Sequence, residues 1–190
     1  MLVDPNEMLA ISTTNFLSVL DLVTDDEFAL ATPCERWSVA DLIWHVARAS
    51  DMTVLLIGGA SKEEATELFK MAVPPDLLSQ CRRALREQAD AFANASDPEF
   101  IVHHPMGDFP VHQLFDFRIM DLTLHTWDLA RAIGASEDLP DVLVTHVYAR
   151  LLPLKEVIGQ IGIFGLGPSE DLDEDAPAQL KLLDLTGRRP

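Results

Sequence analysis

Cysteine is nearly absent from this chain: Cys34 and Cys81 are its only two among 190 residues. They form no Cys-x-x-Cys pair and no disulfide framework, so both thiols are expected to stay reduced. Basic residues are also scarce. Fourteen lysines and arginines stand against 31 acids, for a formal net charge of -17. That field repels phosphate backbones and anionic headgroups, so no nucleic acid and no membrane surface is expected as a partner. A small anionic ligand is still admissible, because a few arginines reverse the potential locally. No apolar run approaches the ~18 residues of a membrane span. The opening "MLVDPNEMLA" carries acids where a signal peptide needs basic residues, so a cytoplasmic location is expected. No repeat and no long linker interrupts the chain.

What the chain does contain is helix signal. Hydrophobic residues make up 48% and charged residues 24%, a globular composition. Residues 6–24 carry Leu9, Phe16, Leu17, Leu20 and Val23 at near-helical spacing. In "TPCERWSVADLIWHVARAS", Ser38 is placed to cap a helix from Val39 to about Leu56, with Asp41 in its first turn. Trp37 and Leu42 sit at the positions of a hydrophobic staple. A third helical region starts near Ser61, breaks at Pro74 and Pro75, and resumes with the stripe Leu77, Leu78, Cys81, Leu85, Ala89 and Phe92. The segment 96–110 is punctuated by prolines and Gly107, with "EFIVHH" a candidate extended piece. A fourth long helix is expected from Val111 to a C-terminal glycine at Gly134. Residues 140–155 and "AQLKLLDLT" follow as shorter helices around a Gly-rich link. The simplest arrangement is an all-α protein: a four-helix bundle over residues 1–134 with a small C-terminal extension, 135–190, packed on it.

Polar residues interrupt two of the apolar faces. His45 shares the strip of Leu42, Val46 and Ala49 on the second helix. Asp121 and His125 are four positions apart on the fourth, so their side chains leave it in one direction. A buried carboxylate must be paired or bound to a cation. Two histidines and one carboxylate make the donor set of a catalytic zinc or iron site with positions left for water or substrate. The same spacing also suits a solvated Asp121–His125 pair with His45 a hydrogen-bonded core histidine.

These motifs carry a resemblance. "CERWSVADLIWHVARAS", then "DLTLHTWDLARAIG", an "FG" and a terminal "APAQLKLLDLTGRRP" together resemble the actinobacterial metal-binding family of the DinB/YfiT-like superfamily. That family is related to the N-terminal domain of mycothiol-dependent maleylpyruvate isomerase. The resemblance implies a DinB/YfiT-like bundle with metal ligands at His45, Asp121 and His125. It places Asp121 where relatives usually carry glutamate, one methylene longer, so an Asp121→Glu variant is expected to bind metal at least as tightly. It further implies a divalent metal (Zn, Ni or Fe), a low-molecular-weight thiol such as mycothiol, or another small-molecule substrate, and a homodimer. The chemistry implied is a transferase or isomerase using a thiol activated at the metal, because a thiolate is the better nucleophile. A non-catalytic metal- or ligand-binding homodimer and a metal-dependent hydrolase are the other classes in view.

Further candidates lie around these three. Asp128 is one turn beyond His125 and is placed to accept a hydrogen bond from an imidazole. Arg118, one turn before Asp121, can reach an anionic ligand or pair with a carboxylate. Trp37, Trp44 and Trp127 are expected in the core or as pocket walls. Cys34 is expected as a small buried residue or, at a helix start, a thiol of lowered pKa. His103 and His104 point to opposite sides of an extended piece, so at most one can face inward. His112 and His146 carry no signal, and "SEDLDEDAP" is expected to be a solvated surface.

Overall fold

A computed structural model describes residues 4–169, 171–173 and 175–189 of the chain. They form two units, Met1–Glu137 and Asp138–Pro190. The first is a bundle of α1 (Pro5–Leu20), α2 (Val39–Ile57), α4 (Leu77–Asn94) and α5 (Val111–Ile133), with a short α3 (Lys62–Glu67) beside α2. Neighbouring helices are α1 with α5, α5 with α2, α2 with α4, and α4 with α1. The pairs α1 and α2, and α4 and α5, therefore lie diagonally across the bundle. The all-α bundle expected from the stripes is what forms.

Local chemistry explains the helix ends. Asp4 accepts the Asn6 N–H at the start of α1, with Pro5 in the first turn. Ser38 Oγ accepts the Asp41 N–H while Asp41 accepts the Ser38 N–H, a reciprocal capping box that starts α2 at Val39. Gly134 closes α5 in the left-handed region at φ 68°. The first helix ends at Leu20, four residues before its expected end, yet Val23 is still buried from the turn beyond. The expected stripe of α4 is shifted at two points. Ala89 is exposed, and the neighbouring Gln88 is fully buried instead.

In the proline-punctuated segment the expected extended piece forms, as the first strand of a hairpin. β1 (Ile101–His104) pairs antiparallel with β2 (Gly107–Pro110), with Val102 opposite Phe109 and His104 opposite Gly107. Pro110 ends the strand, where its missing N–H costs no ladder bond. Alternation turns His104 inward and leaves His103 outside with Asp108.

The second unit contains α6 (Asp141–Leu151) packed against α7 (Ala178–Leu185). Pro153 falls in a 3-10 turn that follows α6. Gly187 lies at φ 77° with its backbone against Gly165, and the Gly165 N–H donates to the Thr186 carbonyl. The "FG" and "LTG" pieces of the sequence are thus one contact. Of the acidic run, Asp171, Asp173 and Asp175 are exposed, whereas Glu170 and Glu174 lie outside the described residues.

Candidate metal centre

Four residues of α5, Arg118, Asp121, His125 and Asp128, follow i, i+3, i+7 and i+10, a single stripe on the helix. The stripe faces α2, which contributes His45. His45 Nε2 lies 3.3 Å from Asp121 Oδ1, and His125 Nε2 lies 3.4 Å from the same oxygen. The two imidazole rings meet edge-on with centroids 5.1 Å apart. One donor atom from each of His45, Asp121 and His125 falls within 4.8 Å of the others.

That spacing fits a cation. Metal–donor bonds of about 2.0–2.1 Å at tetrahedral angles put neighbouring donors about 3.3–3.4 Å apart. The two separations through Asp121 Oδ1 have that length. Asp121 reaches both imidazoles with its short arm, so no further methylene is needed. Its other oxygen, Oδ2, accepts from Arg118 Nη1 at 2.8 Å.

The opposite edge of His125 is engaged too. Nδ1 lies 2.9 Å from Asp128 Oδ2, and Cys34 Sγ lies 3.3 Å from that oxygen and 3.8 Å from Nδ1. Cys34, His125 and Asp128 thus form a second group of donors. The 2.9 Å contact has hydrogen-bond length and is shorter than the separation of about 3.3–3.4 Å between two donors on a tetrahedral cation. We therefore read this group as support for the imidazole.

Charge follows from these contacts. Burial alone would raise the Asp121 carboxyl, but Arg118, His125 and His45 outweigh it and hold the group well below its ordinary value. Burial would likewise lower His125, but Asp121, Asp128 and Cys34 hold it well above the usual imidazole range.

A tight loop brings Cys34 and Trp37 to the site. Thr32 donates its N–H to the Trp37 carbonyl and its Oγ1 accepts the Cys34 N–H, while the Trp37 N–H reaches the Cys34 carbonyl. Arg36, between them, is held at φ 68°, a strained region for a non-glycine residue. The Trp37 ring lies 4.6 Å from that of His45 and 5.8 Å from that of His125. Phe69 flanks His45 from the segment after α3, at 6.1 Å.

The structure brings together His45, Asp121, His125, Arg118, Asp128 and Trp37 of the residues expected from sequence. Trp127 is a core residue, 1% exposed, two positions from His125 and so on another face of α5, with Arg131 over its ring. Trp44 is also buried and donates to the Met71 carbonyl. Sequence reasoning missed the placement of Cys34, 91 positions from His125. It also missed Gln88, although residue 88 continues the stripe of Cys81 and Leu85. Cys81 is buried in the core, which pushes its thiol up to about 12.

Comparisons with known proteins agree with this architecture. Residues 9–130 match the family described as Mycothiol maleylpyruvate isomerase N-terminal domain. An uncharacterized protein of Mycobacterium tuberculosis, found in two strains, is 28% identical over 135 residues, 70% of each chain. Crystal structures of the mycothiol-dependent maleylpyruvate isomerase and of a histidine-to-alanine mutant share the fold, with TM-scores of 0.64 and 0.66. Identity is 21% and 20%, and each superposition covers 83% of this chain and 72% of the other.

Proposed function

The chain belongs to the mycothiol maleylpyruvate isomerase N-terminal domain family, and on that footing we propose that it holds a divalent cation on His45 Nε2, Asp121 Oδ1 and His125 Nε2. The observation that carries the reading is the donor spacing, 3.3 and 3.4 Å through a single carboxylate oxygen. Two imidazoles and a carboxylate suit zinc, nickel or iron(II). Three protein donors leave a further position to an exogenous ligand. A cation there supplies Lewis acidity, lowering the pKa of a thiol or water that reaches it and polarising a carbonyl.

The protein's own groups prepare that position. Asp128 accepts the His125 Nδ1–H and so keeps the Nε2 lone pair turned to the cation. Trp37 and Phe69 wall His45 with apolar surface. His45, with a quarter of its side chain exposed, keeps the site in reach of solvent. The guest is a low-molecular-weight thiol, the class named for the structural relatives, and the reaction is a thiol-dependent transfer or isomerisation. Family membership and an accessible, buried-walled site support this reading.

Elemental analysis of protein purified without added metal, beside a His45→Ala variant, tests the ligand set. About one cation per chain is expected in the first and a small residue in the second. Equal metal content would remove His45 from the site. Titrating mycothiol into cobalt-loaded protein tests the guest: a new sulfur-to-cobalt charge-transfer band is expected, and an unchanged spectrum would reject a thiol as the guest.

A further inference from the structure

We propose that Arg118 is a positioning residue that restricts Asp121 to a single donor oxygen. The inference rests on the cation site proposed above, and asks why that site keeps room for a guest. A carboxylate can grip one cation with both oxygens. Here Asp121 Oδ2 is already taken by Arg118 Nη1 at 2.8 Å.

The guanidinium is not free to yield. It is 3% exposed, and it is anchored from three helices of the bundle. Its Nε donates to Gln88 Oε1 on α4 at 2.6 Å, and its Nη2 donates to Ser50 Oγ on α2 at 3.2 Å. Ser50 Oγ in turn donates to the Val46 carbonyl, which fixes its lone pairs toward Arg118. Arginine stays protonated in any protein setting, so the charge cannot be relieved by losing a proton. Turning both Asp121 oxygens toward a cation would strip a buried guanidinium of its carboxylate, a costly exchange.

Two consequences follow. Asp121 spends one coordination position rather than two, so the protein supplies three donors and no more. The positive charge of Arg118 also offsets that of the carboxylate, so a bound dication keeps more of its pull on an anionic guest. Arg118 weakens cation binding in order to keep the site open.

That sign separates positioning from mere support of the fold. Cobalt(II) is the probe, read by its visible bands and by competition with a chelating dye in the full chain. An Arg118→Met variant is expected to bind cobalt about tenfold more tightly, because a nearby like charge is gone. Its visible absorption is expected to fall at least about threefold, as a second carboxylate oxygen raises the coordination number. Arg118→Lys keeps the charge without the planar fork and is expected to lie between the two. Should Arg118→Met fail to fold by circular dichroism, Gln88→Met loosens the same guanidinium and is expected to move both readouts in the same direction.

Folded variants with wild-type affinity and spectrum would overturn the role of Arg118 alone. So would weaker cobalt binding by a folded Arg118→Met chain. A wild-type chain that takes up no cobalt would overturn the cation site and this inference together.

Discussion

Asp128 holds its carboxylate 2.9 Å from the Nδ1 of His125, from one turn further along the same helix and with no exposure to solvent. The pair fixes which imidazole nitrogen faces α2. Replacing Asp128 by asparagine keeps the size but weakens the acceptor and admits a flipped amide. Cation affinity is expected to fall about 10–100-fold. Competition with a chelating dye measures it, and an unchanged affinity would reduce Asp128 to a packing residue.

The length of residue 121 gives a second test. Sequence resemblance alone expects an Asp121→Glu variant to bind at least as tightly. In the structure the shorter arm already sets Oδ1 at 3.3 and 3.4 Å from both imidazoles while Oδ2 meets Arg118. A further methylene must give up one of these contacts. Binding weaker by about tenfold is now expected, comparable to losing an outer partner. A calorimetric titration showing tighter binding would mean the helices adjust freely.

His104 supplies a pH dependence away from the cation site. Its Nδ1 accepts the Met106 N–H at 3.1 Å, and its ring stacks on Phe117 and lies tilted against Phe109. Burial first, then Arg118 and Lys62, push its pKa down from 6.5 to about 4. The unfolded chain takes up this proton near 6.5, and the folded chain only near 4. The neutral ring's contribution is therefore complete above pH 6.5 and is lost as pH falls through that window. The loss is of order a few kcal/mol at most, because solvent still screens part of the ring. A His104→Phe variant keeps the stack and removes the proton, so its urea midpoint is expected to change less between pH 7 and 4.5, chosen as about the two ends of the window. Parallel curves for the two proteins would assign the acid sensitivity elsewhere.

Gly187 tests the C-terminal unit. A Cβ there would stand 2.6 Å from Gly165 Cα, and φ is 77°. Both the clash and the backbone strain oppose a side chain, so Gly187→Ala is expected to cost about 2 kcal/mol or more. Thermal unfolding would report it. Gly134→Ala, with open space around its Cβ but φ 68°, is expected to cost less.

Much of this protein is legible locally. The Ser38 and Asp41 box, the Gly134 terminus and the placement of Asp121, His125 and Asp128 on one stripe all follow from spacings within a single helix. His45 was legible as a polar residue on an apolar strip. The partners that complete the site were not. Gln88 falls on the apolar stripe by spacing, but nothing local shows that Arg118, from another helix, needs its amide oxygen in the core. Pro110 reads as a break, though it closes a strand whose pairing is set by β1.

The amino-acid order by itself determined that these helices form, where α2 begins and α5 stops, and most of the faces they bury, because caps and periodicity act over a few residues. Tertiary structure alone decided that Cys34 stands beside Asp128 and that Gln88 and Ser50 anchor Arg118. Those contacts join segments tens of positions apart, and their geometry is set by how whole helices pack, a property no local stretch encodes.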